Sequence, residues 1–396
     1  MIPPDARLDP KIVTPLLTVV AIDAIGGGVV LPLLPFYAEH FGATPFTIGA
    51  LVAAFSLAQF IASPWLGRLS DRFGRKPILI ASQFGTLASF LLLAVAPNLT
   101  LIFAARILDG LTAGNLSIAS AYAVDHSTPR TRKQAVGIVS AAIGIGLMIG
   151  PALSAALAHF SVTAPILGAA VLSALSIVAT LVLLPNSERH AKHGQVPSLQ
   201  HLATQPLTCA IFALLAAFYC AFAMYISQLA LYMNARFLWH DLPLGPREVG
   251  IAFTFGGVVN IFVQFFAMRR IGRILTDSQL AIAAPALLGT GFVLLGLAHS
   301  LPLLAAALIC TSFGAAFTRP TLMAALTLTV SGPNQGAVMG ANGSLIAINN
   351  ILGPLLAGFL IERHWFAGWS WAMAILMLLT LLGTLSLIIR RKWPAD

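Results

Sequence analysis

The sequence predicts an all-α integral membrane protein, with twelve transmembrane helices in two six-helix halves and both termini cytoplasmic. Three observations predict it: a composition nearly free of charge, a regular succession of apolar runs of spanning length, and a one-sided distribution of lysine and arginine. Of the 396 residues, 58% are hydrophobic and 9% charged, and the mean hydropathy is +0.90. Soluble domains carry about 25% charged residues. So few charges cannot cover a water-facing surface, and the runs between them are read as lipid-facing spans.

Apolar segments fall near 13–38, 46–66, 77–96, 99–122, 135–158, 162–184, 207–234, 247–268, 278–298, 302–323, 336–360 and 368–389. At about 20 residues each, they match a hydrocarbon core about 30 Å thick. One set of connections carries Arg7, Lys11, Arg68, Arg72, Arg75, Lys76, Arg130, Arg132, Lys133, Arg189, Lys192, Arg269, Arg270, Arg273, Arg390, Arg391 and Lys392. The opposite set carries Arg236, Arg247 and Arg363, which makes seventeen against three. The positive-inside rule puts the first set in the cytoplasm, and both termini with it. A missed or split span would have destroyed this alternation, so the charges support the span count as well.

The net charge of +9 would suggest nucleic acid as the partner of a soluble protein. Here the cations lie in short loops, where they orient the chain and meet anionic lipid, and no nucleic-acid partner is expected. Cys209, Cys220 and Cys310 lie inside apolar runs without metal-ligand spacing, so no disulfide framework, metal or cofactor is expected. Residues 1–10 lack a signal-peptide pattern, and the first apolar run reads as the first span.

The longest polar stretch, 185–206, reads as a cytoplasmic linker between an N-terminal bundle, 1–184, and a C-terminal bundle, 207–396. Gly150-Pro151 recurs as Gly353-Pro354 after 203 residues, and Gly74-Arg75 recurs as Gly272-Arg273 after 198. A shift near half the chain length is the mark of parallel structural repeats, which bind solute at the interface of the repeats.

The densest motif is Gly67-Arg68-Leu69-Ser70-Asp71-Arg72-Phe73-Gly74-Arg75-Lys76-Pro77. Its glycines predict a tight turn, its cations face the cytoplasm, and Asp71 is placed to cap a helix start or pair with an arginine. The run resembles the signature loop of the major facilitator superfamily almost letter for letter. Ile22-Asp23-Ala24-Ile25-Gly26 and Leu31-Pro32-Leu33-Leu34-Pro35 resemble the first span of its tetracycline-efflux proteins and drug:proton antiporters. Arg106-Ile107-Leu108-Asp109-Gly110 resembles the fourth-span arginine motif, and Gly146-Leu147-Met148-Ile149-Gly150-Pro151 the fifth-span motif of exporters. Arg236-Phe237-Leu238-Trp239, Val249-Gly250-Ile251 and Gln335-Gly336 continue the likeness through the second half. The resemblance implies alternating-access transport in a bacterial inner (plasma) membrane. It also implies a conformational latch in which Asp71 and Arg75, framed by Gly67, Arg72 and Gly74, engage Asp125. The chain departs from the tetracycline pumps in having Ser89 where they carry a third-span acid, no acid within 278–298, and an added acid at Asp109.

Ionisable residues inside spans are rare and functional by default. Asp23 lies about 11 residues into its span, roughly 16 Å deep. Arg106 and Asp109, at i and i+3, share one face of the fourth span. Asp23 and Asp109 are therefore the expected proton-coupling acids, with Arg106 beside them as a structural or a substrate-contacting residue; the alternative is a static Arg106–Asp109 pair that only ties helices together. Arg319, near the cytoplasmic end of span ten, reads as a snorkelling residue. Neutral polar stripes trace a candidate cavity: Gln59 with Ser56 and Ser63; Tyr225, Gln228 and Tyr232; Asn260 and Gln264 with Gly256; Asn342 and Asn349. Such stripes line a water-filled path or bond helix to helix. Gly146, Gly150 and Pro151, with Gly353 and Pro354, mark close helix packing and gating.

The function expected is a proton-coupled secondary transporter exporting small amphipathic compounds, with protons and a small-molecule substrate as partners and a monomer as the working unit. The alternatives are a proton-coupled importer of a sugar or organic acid, or an exporter of an endogenous metabolite such as a siderophore. No zinc-protease, nucleophile-elbow or Walker sequence is present, and His190, His193 and His201 lie in the linker, so enzymatic and ATP-driven readings find no motif.

Overall fold

A computed structural model describes residues 10–128, 131–185, 205–330 and 335–394. The linker segment 186–204, with its three histidines and the cations Arg189 and Lys192, lies outside the described residues. Helix dominates because hydrocarbon offers the backbone no hydrogen-bond partner, so each span must satisfy its own. In chain order the helices are α1 (Pro10–Glu39), α2 (Pro45–Phe73), α3 (Arg75–Ala94), α4 (Leu99–Thr112), α5 (Asn115–Asp125), α6 (Arg132–Leu157) and α7 (Ala164–Leu183). After the linker come α8 (Pro206–Arg236), α9 (Pro246–Phe262), α10 (Met268–Ile271), α11 (Asp277–Leu297), α12 (Leu301–Leu328), α13 (Gln335–Glu362) and α14 (Phe366–Ile389). A two-rung hairpin, β1 (Leu238–Trp239) with β2 (Leu242–Pro243), turns through His240 and Asp241, both at positive φ.

Among the described residues, 11 helical segments are long and apolar enough to cross a membrane, where the sequence predicted twelve. The difference lies at 247–268, where α9 has 17 residues and passes into a π-helical turn, Val263–Ala267, before α10. The fourth segment, 99–125, is also not one rod. Ala113 leaves helical geometry at ψ 52, separating α4 from α5 at Gly114. The signature run also differs from the expected turn. α2 continues through Gly67 to Phe73, so only Gly74 turns the chain, at φ 99. Asp71 does not cap α3, whose N-cap Gly74 receives no side-chain bond, because its carboxylate is taken by Arg75.

The chain forms two compact units. The first comprises 1–43, 54–193 and 245–254; the second comprises 44–53, 194–244 and 255–396. In the first, Leu16, Val19 and Val20 of α1 pack with Leu79, Ile118, Tyr122, Ala135, Val139 and Ala142. Gly28 on α1 lies against Gly146 and Gly150 on α6, and Gly250 of α9 lies against Pro151 and Ala155. In the second unit, Gly291 and Gly314 seat α11 against α12, and the fully buried Trp369 donates its indole N–H to the Met224 carbonyl at 3.2 Å. The first turns of α2 belong to this second unit: Gly49 meets Pro354, Gly358 meets Pro45, and Glu362 accepts from the Phe46 N–H at 3.2 Å.

Candidate functional site

The first unit holds three ionisable residues inside its spans, Asp23, Arg106 and Asp109, in two clusters. Asp23, on α1, accepts at 3.2 Å from the Gln83 amide of α3, and that amide also donates to Ser176 of α7 at 2.8 Å. Ser173 and Ser176 in turn donate to the backbone carbonyls of Gln83 and Val19. The acid thus belongs to a three-helix polar network with no cation in it. Gln83 and Ser176 escaped the sequence reading; the only signal was a fully buried-type amide inside an otherwise apolar span.

The second cluster is an ion pair on α4. Arg106 Nη2 bonds Asp109 Oδ2, and both residues are 8% exposed. The guanidinium carbon lies 4.7 Å from the Phe55 ring centre on α2, and Thr86 and Ser89 of α3 are polar neighbours of the Asp109 carboxylate. Gly110 and Gly85 allow this, since a Cβ on Gly110 would overlap the Phe55 carbonyl and one on Gly85 would overlap Thr112. Among the described residues, the buried donor Arg106 Nε has no hydrogen-bond partner. Just beyond, Gln59 donates at 3.3 Å to the Ala113 carbonyl released by the helix break. An uncoiled carbonyl in a span is tolerated where a polar side chain meets it.

At the end of α2, Arg75 gathers the signature residues. Its guanidinium bonds Asp71 at 2.5 Å, Asp125 at 2.8 Å and the Ser70 hydroxyl at 2.6 Å. Asp125 ends α5, where the helix terminus is itself partly negative, so the arginine offsets two unfavourable charges at once. Lys76 donates to the Leu181 and Leu184 carbonyls at the end of α7, at 3.0 and 2.6 Å. Arg72 stays exposed beside the Phe73 ring. Arg75→Ala is expected to lower stability by about 1 kcal/mol, a modest figure because the pairs are partly solvated. Thermal unfolding followed by tryptophan fluorescence in detergent measures it, and an unshifted transition would deny the triad any energetic role.

In the second unit the polar stripes separate by use. Tyr225 shares a hydrogen bond with Thr311 at 3.3 Å, Gln228 donates to the Pro45 carbonyl at 3.0 Å, and Tyr232 donates to the Leu295 carbonyl. Asn342 accepts from Tyr219 at 3.0 Å, and Asn349 donates to Leu345 of its own helix. Gly353 approaches Ala223 and the Cys220 carbonyl of α8. Asn260 and Gln264 bond each other at 2.6 Å, with Gln264 exposed inside the π turn. The small cavity lined by Tyr37, His40, Phe41, Ala94, Val95, Ala96, Val162 and Thr163 includes none of these residues.

Spans that are broken, proline-bearing and furnished with buried acids and an arginine define a multi-span membrane transporter. The sequence profile of the Major Facilitator Superfamily matches residues 16–273 and 217–395, and the chain belongs to that superfamily. It is 29% identical over 388 residues to the class C tetracycline resistance protein of Escherichia coli, covering 93% of this chain and 95% of that one. It is 28% identical over 368 residues to multidrug resistance protein 2 of Bacillus subtilis, covering 88% of each. The fold is that of the human organic anion transporter MFSD10 (TETRAN), with a TM-score of 0.71 at 22% identity over 96% of this chain and 100% of that one.

Proposed function

We propose that this chain is a proton-coupled exporter of small amphipathic compounds, working by alternating access in the inner (plasma) membrane of a bacterium. In this reading its helices are twelve spans, α9 with its π turn being the eighth, arranged as two six-helix halves, 1–184 and 207–396, with the linker 185–206 and both termini in the cytoplasm. The observation that carries the proposal is the pair of acids held on α1 and α4 among partners that can be exchanged. Asp109 sits beside Ser89, so α4 supplies the carboxylate that the tetracycline pumps place on the third span.

The coupling follows from the cost of an unpaired buried charge. An ionised Asp109 needs Arg106, and a protonated Asp109 no longer holds it, leaving the guanidinium to Phe55 and to whatever enters beside it. A proton taken at Asp109 Oδ2 therefore competes with the ion pair. Asp23 offers a second carboxylate whose neutral partners, Gln83 and Ser176, hold either protonation state by rotating an amide or a hydroxyl. The names of the relatives, tetracycline and multidrug resistance proteins, favour export of amphipathic compounds over sugar import. Arg75 with Asp71 and Asp125 acts as the conformational latch, Gly146, Gly150 and Pro151 with Gly353 and Pro354 as the packing joints, and the polar residues of α2, α8, α9 and α13 as the solute lining.

Proteoliposomes with an imposed pH gradient test this with ethidium, tetracycline and an amphipathic sulfonate as probes. Asp23→Asn and Asp109→Asn are each expected to slow gradient-driven flux about tenfold or more, the effect of adding about 1.4 kcal/mol to the barrier of the coupled step, while gradient-free exchange persists. Full gradient-driven flux in both variants, and in the double variant, rejects the assignment.

A further inference from the structure

Arg319 is a cation inside a span for which the described residues of the second unit provide no counter-charge. It sits nine residues before the end of α12, about 13 Å along the helix axis. Among the described residues it has no ion-pair partner. The described acids of this unit lie at helix ends or in the hairpin: Asp241 in the hairpin turn, Glu362 bonded to Thr44 and Phe46, and Asp277 in the first turn of α11. The contacts of Gly291 with Thr311 and of Gly314 with Leu288 set an antiparallel register that brings Asp277 level with Ala325. That is six residues past Arg319, about 9 Å along the axis.

Arg319 is exposed, and it stands apart on α12 from the other exposed residues of the helix. The exposed apolar residues of this helix, Pro302, Ile309, Pro320, Ala324 and Leu328, fall within an arc of about 100°. Arg319 lies about 80° outside that arc, on the face of Ser312, two turns earlier. Ser312 is the contact that Gly256 of α9 makes, its hydroxyl 3.5 Å from where a Cβ would stand. Asn260 and Gln264 continue the Gly256 face of α9 by one and two turns. Val263 of the π turn packs in one cluster with Ala316 and Phe317 of α12, which keeps the two helices side by side down to the level of Arg319. The π turn widens the helix where Gln264 leaves it, and since Gln264 Nε2 donates to Asn260 Oδ1, that bond does not use the Asn260 amide nitrogen, which is itself a donor.

We propose that Arg319, with Ser312 and the Asn260–Gln264 pair, forms an anion-accepting subsite, so that the transported amphipathic compound carries a carboxylate, sulfonate or similar anionic group. Its role in transport rests on the reading above; binding itself does not. A guanidinium fork and amide and hydroxyl donors suit a planar or tetrahedral oxyanion. The same donors suit the phosphate of an anionic lipid headgroup, and the test separates the two sources.

Equilibrium dialysis of the full chain in neutral detergent compares 1-naphthalenesulfonate with uncharged 1-naphthalenemethanol. Arg319→Gln is expected to weaken the sulfonate about tenfold or more and leave the alcohol unchanged, with Arg319→Lys between wild type and Arg319→Gln and Asn260→Ala weakened less. Unchanged thermal transitions of the variants establish that they fold. Wild-type sulfonate affinity in Arg319→Gln, or an equal loss for both probes, overturns the subsite. If stoichiometric phosphatidylglycerol displaces the sulfonate from wild type where phosphatidylcholine does not, the occupant is a lipid headgroup and the solute assignment falls. None of these readouts uses a pH gradient, so failure of proton-driven flux would strike the exporter reading and leave this one standing.

Discussion

Arg106→Ala is expected to destabilise the protein by about 3–5 kcal/mol, the range found when one partner of a buried ion pair is removed. Asp109 would be left buried without its counter-charge, with Thr86 and Ser89 as polar neighbours, and the Phe55 ring would lose the cation it covers. The loss comes from the orphaned charge, which a double variant makes visible. Arg106→Met with Asp109→Leu removes both charges and keeps the volume, and is expected to recover most of the stability while abolishing any coupling carried by the pair. Urea or thermal unfolding in detergent gives the three values. If the single and double variants unfold together, the pair is solvated and the physical basis proposed for its role disappears.

Gly150→Leu is expected to prevent folding or to cost at least about 3 kcal/mol, at or beyond the upper end for overpacking, because nothing near it can move aside. A Cβ at Gly150 would stand 2.6 Å from the Gly28 backbone and 2.8 Å from the Ile25 carbonyl, and one at Gly146 would collide with Ala24. These neighbours are backbone and a methyl group, not the ends of flexible side chains. Gly144, on the same helix, has nothing within 4 Å of its Cβ position. Gly144→Ala is therefore expected to be neutral or to stabilise by about 0.5–1 kcal/mol through helix propensity. Yield and thermal transition of the two variants side by side measure the contrast; equal behaviour would mean that α1 and α6 do not pack backbone to backbone.

The candidate site was legible to the extent that charge is conspicuous in an apolar sequence. Asp23, Arg106, Asp109, Asp71, Arg75 and Asp125 stand out by residue type alone, and the last three are found on one guanidinium. Neutral residues carry no such flag. Gln83, Ser176, Thr311 and Tyr219 emerge only as the partners of Asp23, Tyr225 and Asn342, since a hydroxyl or amide in a span is as often a helix-to-helix bond as a solute contact. Arg319 shows the opposite case. Its position along the sequence suggested snorkelling; in the structure it is exposed, about 80° around the axis of α12 from the arc of that helix's exposed apolar residues.

Residue chemistry alone decided that this chain lies in a membrane as a succession of helices, because hydrocarbon accepts neither bare charges nor unpaired peptide groups, and apolar runs of about 20 residues cross it as helices where a barrel strand needs only about 10. Family membership was legible for a related reason: in the run from Gly67 to Pro77, Gly74, Asp71 and Arg75 must hold their spacing to make one turn and one ion cluster. Tertiary structure alone decided where helices break and which side chains meet. The breaks at Ala113 and in the π turn at Val263–Ala267 depend on a neighbouring helix meeting the released carbonyl or the widened turn. Partner choice depends on helix rotation, and at 100° per residue a shift of one position turns a side chain from lipid to core.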